Sequence, residues 1–360
     1  MIAFIIILVI AAIILQEWSI KNALKGIKYD YGCSKMRVEP DEAFELVTTI
    51  TNESSRFIPF LKLNEMLPKG IRVLHTNAHI KTDAQKNVRH IYSTWLMPRS
   101  KLERRIAVAM TKRGRFLFWG ADITGGDFLG LDDRRETFHV FNEVVVYPKR
   151  ADIHAVENML GGFYGDISVR RFIIEDPVLT IGAKEYTGRE PLKQISWKHS
   201  ARSGRLMAKQ FDYTAEMVVS VVLDISTIEI DERQRQLVEC CYSLTRSVCE
   251  SLEQRGISYD FISNAATANA MAKWEYIAEG LGKMHLLSIL EGLGRAGYQP
   301  TGTFANMIGK MKREKNRSMI IITPSRDDEK HRLVRSTGIV KLMYGEDIVN
   351  DFYSGTQTDM

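Results

Sequence analysis

Residues 217–226 read MVVSVVLDIS. As a strand, this run is apolar on both alternating faces, so it must be covered on both sides. Helices packed on a sheet give that cover, and the neighbouring sequence supplies them. Over 231–255, Leu237, Cys241, Leu244, Val248 and Leu252 recur every three or four positions, and Gly256 stands where a helix stops. ISYDFIS, SMIIIT (318–323) and IVKLMYG (339–345) are further buried strands, and helical tracts lie at 283–293 and 303–313. Strands alternating with helices predict an α/β doubly wound domain over 217–350. In such a sheet ligands bind beyond the carboxyl ends of the strands, which directs attention to Asp224 and Ser226.

The first half follows a different period. In FELVTTITNESS, Phe44, Leu46, Thr48 and Ile50 fall on one face and a turn follows. HIYSTWLM, RIAVAM, RFLFWG and FHVFNEVVVY are further strand candidates, and long helical periodicity is absent. Short strands separated by turn signals predict an antiparallel β-sandwich over 36–147. Residues 148–216 join the two domains and contain a very basic segment. From Lys184 to Asp212 it carries seven Lys or Arg, interleaved with Tyr186 and Trp197. Ile195 and Trp197 are expected to pack inward, and Arg202 to fork onto a carboxylate. The segment would then clamp the sandwich to the α/β domain and offer cations to a partner.

Ahead of both domains stands MIAFIIILVIAAIIL, with no charge in 15 residues and Trp18 shortly after. A helix over 1–20 is long enough to cross a bilayer core, with Trp18 at the interface. No basic residue precedes the run and no small-residue cleavage pattern follows it, so a cleaved signal peptide is disfavoured. Lys21, Lys25, Lys28, Lys35 and Arg37 all lie on the C-terminal side. The excess of positive charge predicts a single-pass protein with a cytoplasmic body. Cys33, Cys240, Cys241 and Cys249 show neither zinc spacing nor a disulfide framework, and reduced thiols agree with that compartment.

Enzyme signatures are missing from the chain. Gly292–Gly297 spells G-x-G-x-x-G, but a helical pattern precedes it where a dinucleotide fold needs a strand. There is no Walker A sequence and no nucleophile elbow. A net charge of +5 is too mild to argue for nucleic acid.

Several spaced elements together resemble the family called domain of unknown function 58. They are Lys184-Glu185-Tyr186, Gly188-Arg189, Lys193-Gln194-Ile195-Ser196-Trp197 and Ala201-Arg202-Ser203-Gly204-Arg205-Leu206. Upstream, Arg113-Gly114-Arg115-Phe116 and Asp127-Phe128-Leu129-Gly130-Leu131 fit the same order. The resemblance spans about residues 30–350. It implies an α+β multidomain chain: an N-terminal transmembrane helix, an antiparallel β-sandwich, then a von Willebrand factor A-like domain. Members are often encoded beside AAA+ ATPases of the MoxR type, which implies an assembly or maturation role. They carry two N-terminal membrane helices where this chain shows one apolar segment.

Von Willebrand A domains often hold Mg²⁺ through Asp-x-Ser-x-Ser, because Mg²⁺ takes oxygen ligands in an octahedron. Here the sequence is Asp224-Ile225-Ser226-Thr227-Ile228, so one hydroxyl is replaced by Ile228. After SMIIIT the chain gives Pro324-Ser325-Arg326. The expectation is therefore no cofactor and no catalysis. The protein is read as an interaction module attached to the lipid bilayer, with a MoxR-type ATPase as partner, no nucleic acid, and Tyr186, Trp197, Arg202 and Arg205 as contact residues. The alternative is a Mg²⁺-dependent binding protein using Asp224 and Ser226.

Overall fold

The computed structural model describes residues 24–75, 79–82, 88–126, 133–166, 180–211, 218–226, 231–268, 274–311, 318–334 and 339–350. The chain forms two compact units: the chain up to Lys149 together with Leu293–Arg295, and Arg150–Gly292 together with the chain from Ala296.

The first unit is a β-sandwich. Strands β1 (Ile27–Cys33), β3 (Ala43–Asn52), β5 (Ile71–His75) and β8 (Lys101–Met110) form one sheet in the order β1-β3-β8-β5. Strands β2 (Arg37–Val38), β4 (Ile58–Leu67), β6 (His79–Thr82), β7 (Val88–Leu96), β9 (Gly114–Gly126) and β10 (Asp133–Val146) form the other, in the order β2-β10-β9-β4-β7-β6. Alternation sets the inward faces. Phe44, Leu46 and Ile50 of β3 and Leu61, Leu63 and Leu67 of β4 enter one common core. Strand β1 completes the first sheet, so the sandwich starts ahead of residue 36.

One carboxylate ties the two sheets together. Glu65 on β4 is only 1% exposed. Its Oε1 accepts from the Thr48 hydroxyl at 2.5 Å and the Tyr29 hydroxyl at 3.4 Å, both on the opposite sheet. Its Oε2 lies 2.7 Å from Nδ1 of His90, which is fully buried on β7. Burial first, and then the charge of Glu65, pushes the Tyr29 hydroxyl far above its ordinary pKa, so it stays a donor. Where β10 bulges between His139 and Asn142, Gly120 adopts φ +97°. A Cβ at that position would run into the Phe138 carbonyl.

In the second unit the central strands are β13 (Val218–Leu223), β14 (Ser258–Ser263), β18 (Ser318–Thr323) and β19 (Val340–Tyr344), all parallel to their neighbours. Strand β16 (Tyr276–Gly280) closes the β14 edge antiparallel, giving the order β16-β14-β13-β18-β19. Helix α1 is Ile153–Leu160, α2 Trp197–Ser203 and α3 Glu232–Gln254. Helix α4 is Lys283–Arg295, α5 Phe304–Met311 and α6 Asp328–Val334. Phe304, Met307 and Ile308 of α5 and Val334 of α6 pack on Val222, Met319 and Ile321. Helix α3 packs against β13, β14 and β18. Its start is capped by Asp231, whose Oδ1 accepts from the Gln234 amide at 2.6 Å. Gly256 follows it at φ +65°.

Two short ribbons complete the unit: β11 (Thr180–Glu185) with β12 (Met207–Phe211), and β15 (Ala265–Thr267) with β17 (Ala296–Pro300). The glycine motif at 292–297 lies where α4 gives way to β17, not between a strand and a helix. Gly292 leaves room for Trp274, because a Cβ there would fall inside the indole.

The expected fold class is corrected. Among the described residues strand outweighs helix, and no helix is long and apolar enough to cross a membrane. The helix expected over 1–20 lies outside the described residues. The von Willebrand A-like, doubly wound domain does not stand as expected: the larger sheet is mixed, and two separate antiparallel ribbons accompany it. The physical reason is visible in β16, YIAEG, which is half-exposed and polar. Hydrophobic run length announces a covered central strand but says nothing about how an edge is completed.

Replacing Glu65 by Ala should destabilise the sandwich by about 3–5 kcal/mol, since it leaves buried donors without their acceptor. Urea unfolding followed by far-UV circular dichroism measures this. A loss under about 1 kcal/mol would mean that the Glu65 network is not a structural tie.

Candidate functional site

Two regions of the second unit bring together side chains able to recognise something. The first surrounds the carboxyl end of β13. Asp224 is fully buried there, with its backbone N–H donating to Ile322 O at 2.9 Å. Its Oδ1 accepts from the Ser226 amide at 3.0 Å and from Asn264 Nδ2 at 2.7 Å. Its Oδ2 accepts from Lys330 Nζ at 2.7 Å and the Thr323 hydroxyl at 3.3 Å. Lys330 also donates to Thr323 Oγ1 at 3.0 Å. Asn264 Nδ2 reaches Ser226 Oγ at 2.9 Å, and its Oδ1 accepts from the Ile225 amide at 2.9 Å.

The topology explains the convergence. Asp224, Asn264 and Thr323 stand at the carboxyl ends of the adjacent parallel strands β13, β14 and β18. Lys330 reaches in from α6, with its side chain 14% exposed. Sequence reasoning located Asp224 and Ser226 but missed Asn264, Thr323 and Lys330. The signal available was position, since each of the first two ends or directly follows a strand of the same sheet.

The Mg²⁺ reading needs oxygen atoms around a vacant cation position. Here that position on Oδ2 holds an ammonium group, and Oδ1 is engaged by two N–H donors. The residues present therefore do not fit a divalent ion while Lys330 is in place. Among the described residues no group of three or more His, Cys, Asp and Glu could hold a metal. Thr227 and Ile228 lie outside the described residues. On α3, burial first, then Cys240 and Asp224, push the Cys241 thiol well above its ordinary pKa, so it is not a ready thiolate nucleophile. All four cysteines are free thiols.

The second region is the basic segment, folded as a tied ribbon. Ile195 bridges Ala208, Tyr186 N–H donates to Leu206 O at 2.9 Å, and Ser196 N–H donates to Met207 O at 2.8 Å. Ser200 Oγ accepts from the Met207 amide at 2.9 Å, and α2 ends at Gly204, φ +67°. Glu190 braces the turn: Lys184 lies 3.1 Å away, and the Thr187 hydroxyl donates at 3.0 Å. The Lys184 hydrogen bond, followed by backbone bonds, lowers the Glu190 carboxyl to about 2.

Ile195 is buried as expected, but Trp197 is not, with 70% exposure at the start of α2. The inward packing of Trp197 is thus corrected. Strand-like alternation carried it inward, whereas the chain enters a helix at that residue. Arg202 is exposed and has no carboxylate partner among the described residues, so its forked contact is corrected too. Arg205 instead lies 3.4 Å from Glu185, both groups being exposed. Leu192, at 72%, and Leu206, at 48%, add apolar surface.

No protein-family model matches the chain, and no curated protein matches it. Among solved structures, it is similar to a CARDB domain from Pyrococcus furiosus at 12% identity and TM-score 0.22, covering 33% of this chain and 91% of that one. It is similar to a cohesin module of a Clostridium perfringens family 33 glycoside hydrolase at 12% identity and TM-score 0.25, covering 33% and 96%. A chitin-binding domain from Streptomyces coelicolor is matched at 10% identity and TM-score 0.21, covering 28% and 93%. The β-sandwich itself stands on the strand pairing described above.

Replacing Lys330 by Met leaves the buried Asp224 carboxylate without its cation and should cost about 3–5 kcal/mol in unfolding free energy. Added Mg²⁺ should recover part of that loss in the variant, and should leave the melting temperature of the unaltered protein unchanged. A saturable Mg²⁺ stabilisation of the unaltered protein would show that Lys330 yields the site.

Proposed function

We propose that this protein is a non-enzymatic interaction module held at a membrane by its apolar leader, with the basic ribbon of the second unit as its contact surface. The observation that supports this most is the character of that surface. Leu192, Trp197 and Leu206 are large, apolar and exposed, and Lys198, Arg202 and Arg205 are exposed on the same hydrogen-bonded segment. Trp and Arg on a rigid support are the residue types that dominate protein interface energetics. Solitary exposed apolar residues need no explanation, whereas three on one short cationic segment are the feature this reading rests on.

The Asp224 site supports the same reading, because its carboxylate is already committed to Lys330 and Asn264. A Mg²⁺-dependent binding function through Asp224 and Ser226 would first have to displace that ammonium.

The resemblance to domain of unknown function 58 suggests an AAA+ ATPase of the MoxR type as the partner. Such a partner would present acidic and apolar groups to the ribbon. The apolar run of residues 1–15 and the five cations that follow it suggest attachment to the cytoplasmic leaflet.

The test uses the full chain, solubilised from its native membrane and purified with its bound proteins. A MoxR-type ATPase, recognised by mass spectrometry and by ATP hydrolysis in the eluate, should accompany the unaltered protein. Trp197→Ala combined with Arg205→Glu should reduce its recovery by tenfold or more, with the unfolding midpoint unchanged because both side chains are exposed. Full recovery with the altered ribbon would rule out the ribbon as the contact surface.

A further inference from the structure

We infer that one end of the β-sandwich is a lipid-facing platform that rests on the headgroup layer of an anionic bilayer. The inference rests on the proposed membrane attachment, but a different set of residues carries it.

Three chain segments meet at this end: the entry to β1, the β3–β4 turn and the β7–β8 turn. They are bound into one piece by hydrogen bonds. Glu53 N–H donates to Gly26 O at 2.8 Å, and Arg56 Nη2 donates to Lys25 O at 3.0 Å. Arg99 N–H donates to Ser54 O at 3.0 Å. Asn52, fully buried, donates from Nδ2 to both Arg56 O at 2.7 Å and Met97 O at 2.9 Å. A buried amide spending both protons on two different turns holds those turns rigidly.

On this frame stand three large apolar side chains exposed to solvent: Phe57, Trp95 at 57% and Met97 at 52%. The Phe57 and Trp95 rings lie 6.1 Å apart, so they form one wedge and not two isolated residues. The same three segments carry cations: Lys25 and Arg99 are exposed, and Arg56 is half-buried. The acid nearest in sequence to the turn, Glu53, is paired with Lys28 at 2.6 Å. Aromatic wedge and cations together match the boundary between acyl chains and anionic headgroups.

Connectivity selects the occupant. The apolar leader runs to Leu15, and the described chain begins at Leu24, which is buried in the sandwich. The chain between those two leucines spans about 14 Å if helical and about 30 Å at full extension. A leader held in the bilayer therefore keeps this end of the sandwich within reach of the headgroups. At the high effective concentration of so short a tether, even a weak surface affinity gives nearly full occupancy.

The experiment reconstitutes the full chain into vesicles of phosphatidylcholine and phosphatidylglycerol carrying bromine near the headgroup. Bromine quenches tryptophan fluorescence only at close range. The unaltered protein is compared with Trp18→Phe, Trp95→Phe and Trp119→Phe. Gly126 on β9 pairs with Phe60, beside the β3–β4 turn, and Trp119 is exposed seven residues further back, roughly 20 Å along the strand from this end.

The quenchable fraction should fall in Trp18→Phe and in Trp95→Phe, and stay the same in Trp119→Phe. Reversing charge with Lys25→Glu and Arg99→Glu should remove the Trp95 contribution and leave that of Trp18. If only Trp18→Phe lowers quenching, the leader is in the membrane and the platform is overturned. If neither Trp18 nor Trp95 contributes, membrane attachment fails and the platform with it. A contribution from Trp119 in place of Trp95 would mean that a different face meets the lipid, which also overturns the inference.

Discussion

A carboxylate taken out of water needs an opposite charge or several donors, and two such groups organise this protein. In the second unit Asp224 ends the central strand with no exposed surface. Lys330, Asn264, Thr323 and the Ser226 amide converge on its two oxygens. That requirement fixes where β14 and β18 must end, because Asn264 and Thr323 have to arrive at the same place. It also fixes α6, which carries the ammonium. The carboxyl edge of the sheet is therefore a closed electrostatic unit supplied by the chain itself.

Glu65 plays the corresponding part in the sandwich. Two sheets could slide over an apolar interface at little cost, since dispersion contacts are not directional. A buried carboxylate that accepts from Thr48 and Tyr29 across the gap and meets His90 on its own side permits one alignment. The core around it supplies the burial, and the polar network supplies the register. The surfaces proposed for recognition, the basic ribbon of the second unit and the aromatic end of the first, are carried on these fixed frames.

Much of the local structure was legible in the residues. The spacing of Leu237, Cys241, Leu244, Val248 and Leu252 gave helix α3, and all five side chains are buried. Alternation gave the inward row of β3. Trp197 and Arg202 were misjudged for an identifiable reason. Alternation through Ile195 and Trp197 imitates a strand, but the chain turns into helix α2 there and carries Trp197 outward. Arg202 was assigned a carboxylate because guanidinium geometry favours one, yet the carboxylate at hand, Glu185, lies with Arg205. Asn264 and Lys330 were not anticipated, since an Asn after a strand and a Lys in a short helix are ordinary until the strands are placed side by side.

The sequence by itself determined which segments must be hidden from water and at what period. It thereby determined the long buried elements such as β3, β13 and α3 with their inward faces, because a run long enough to show a clear period fixes which side chains are hidden. Only the tertiary structure decided how the sheet edges close, which is why β16 runs antiparallel, and which groups meet. A lysine more than a hundred positions from Asp224 stands where the alternative reading placed a metal ion, since electrostatic pairing in a core depends on distance through space and leaves no trace in local pattern.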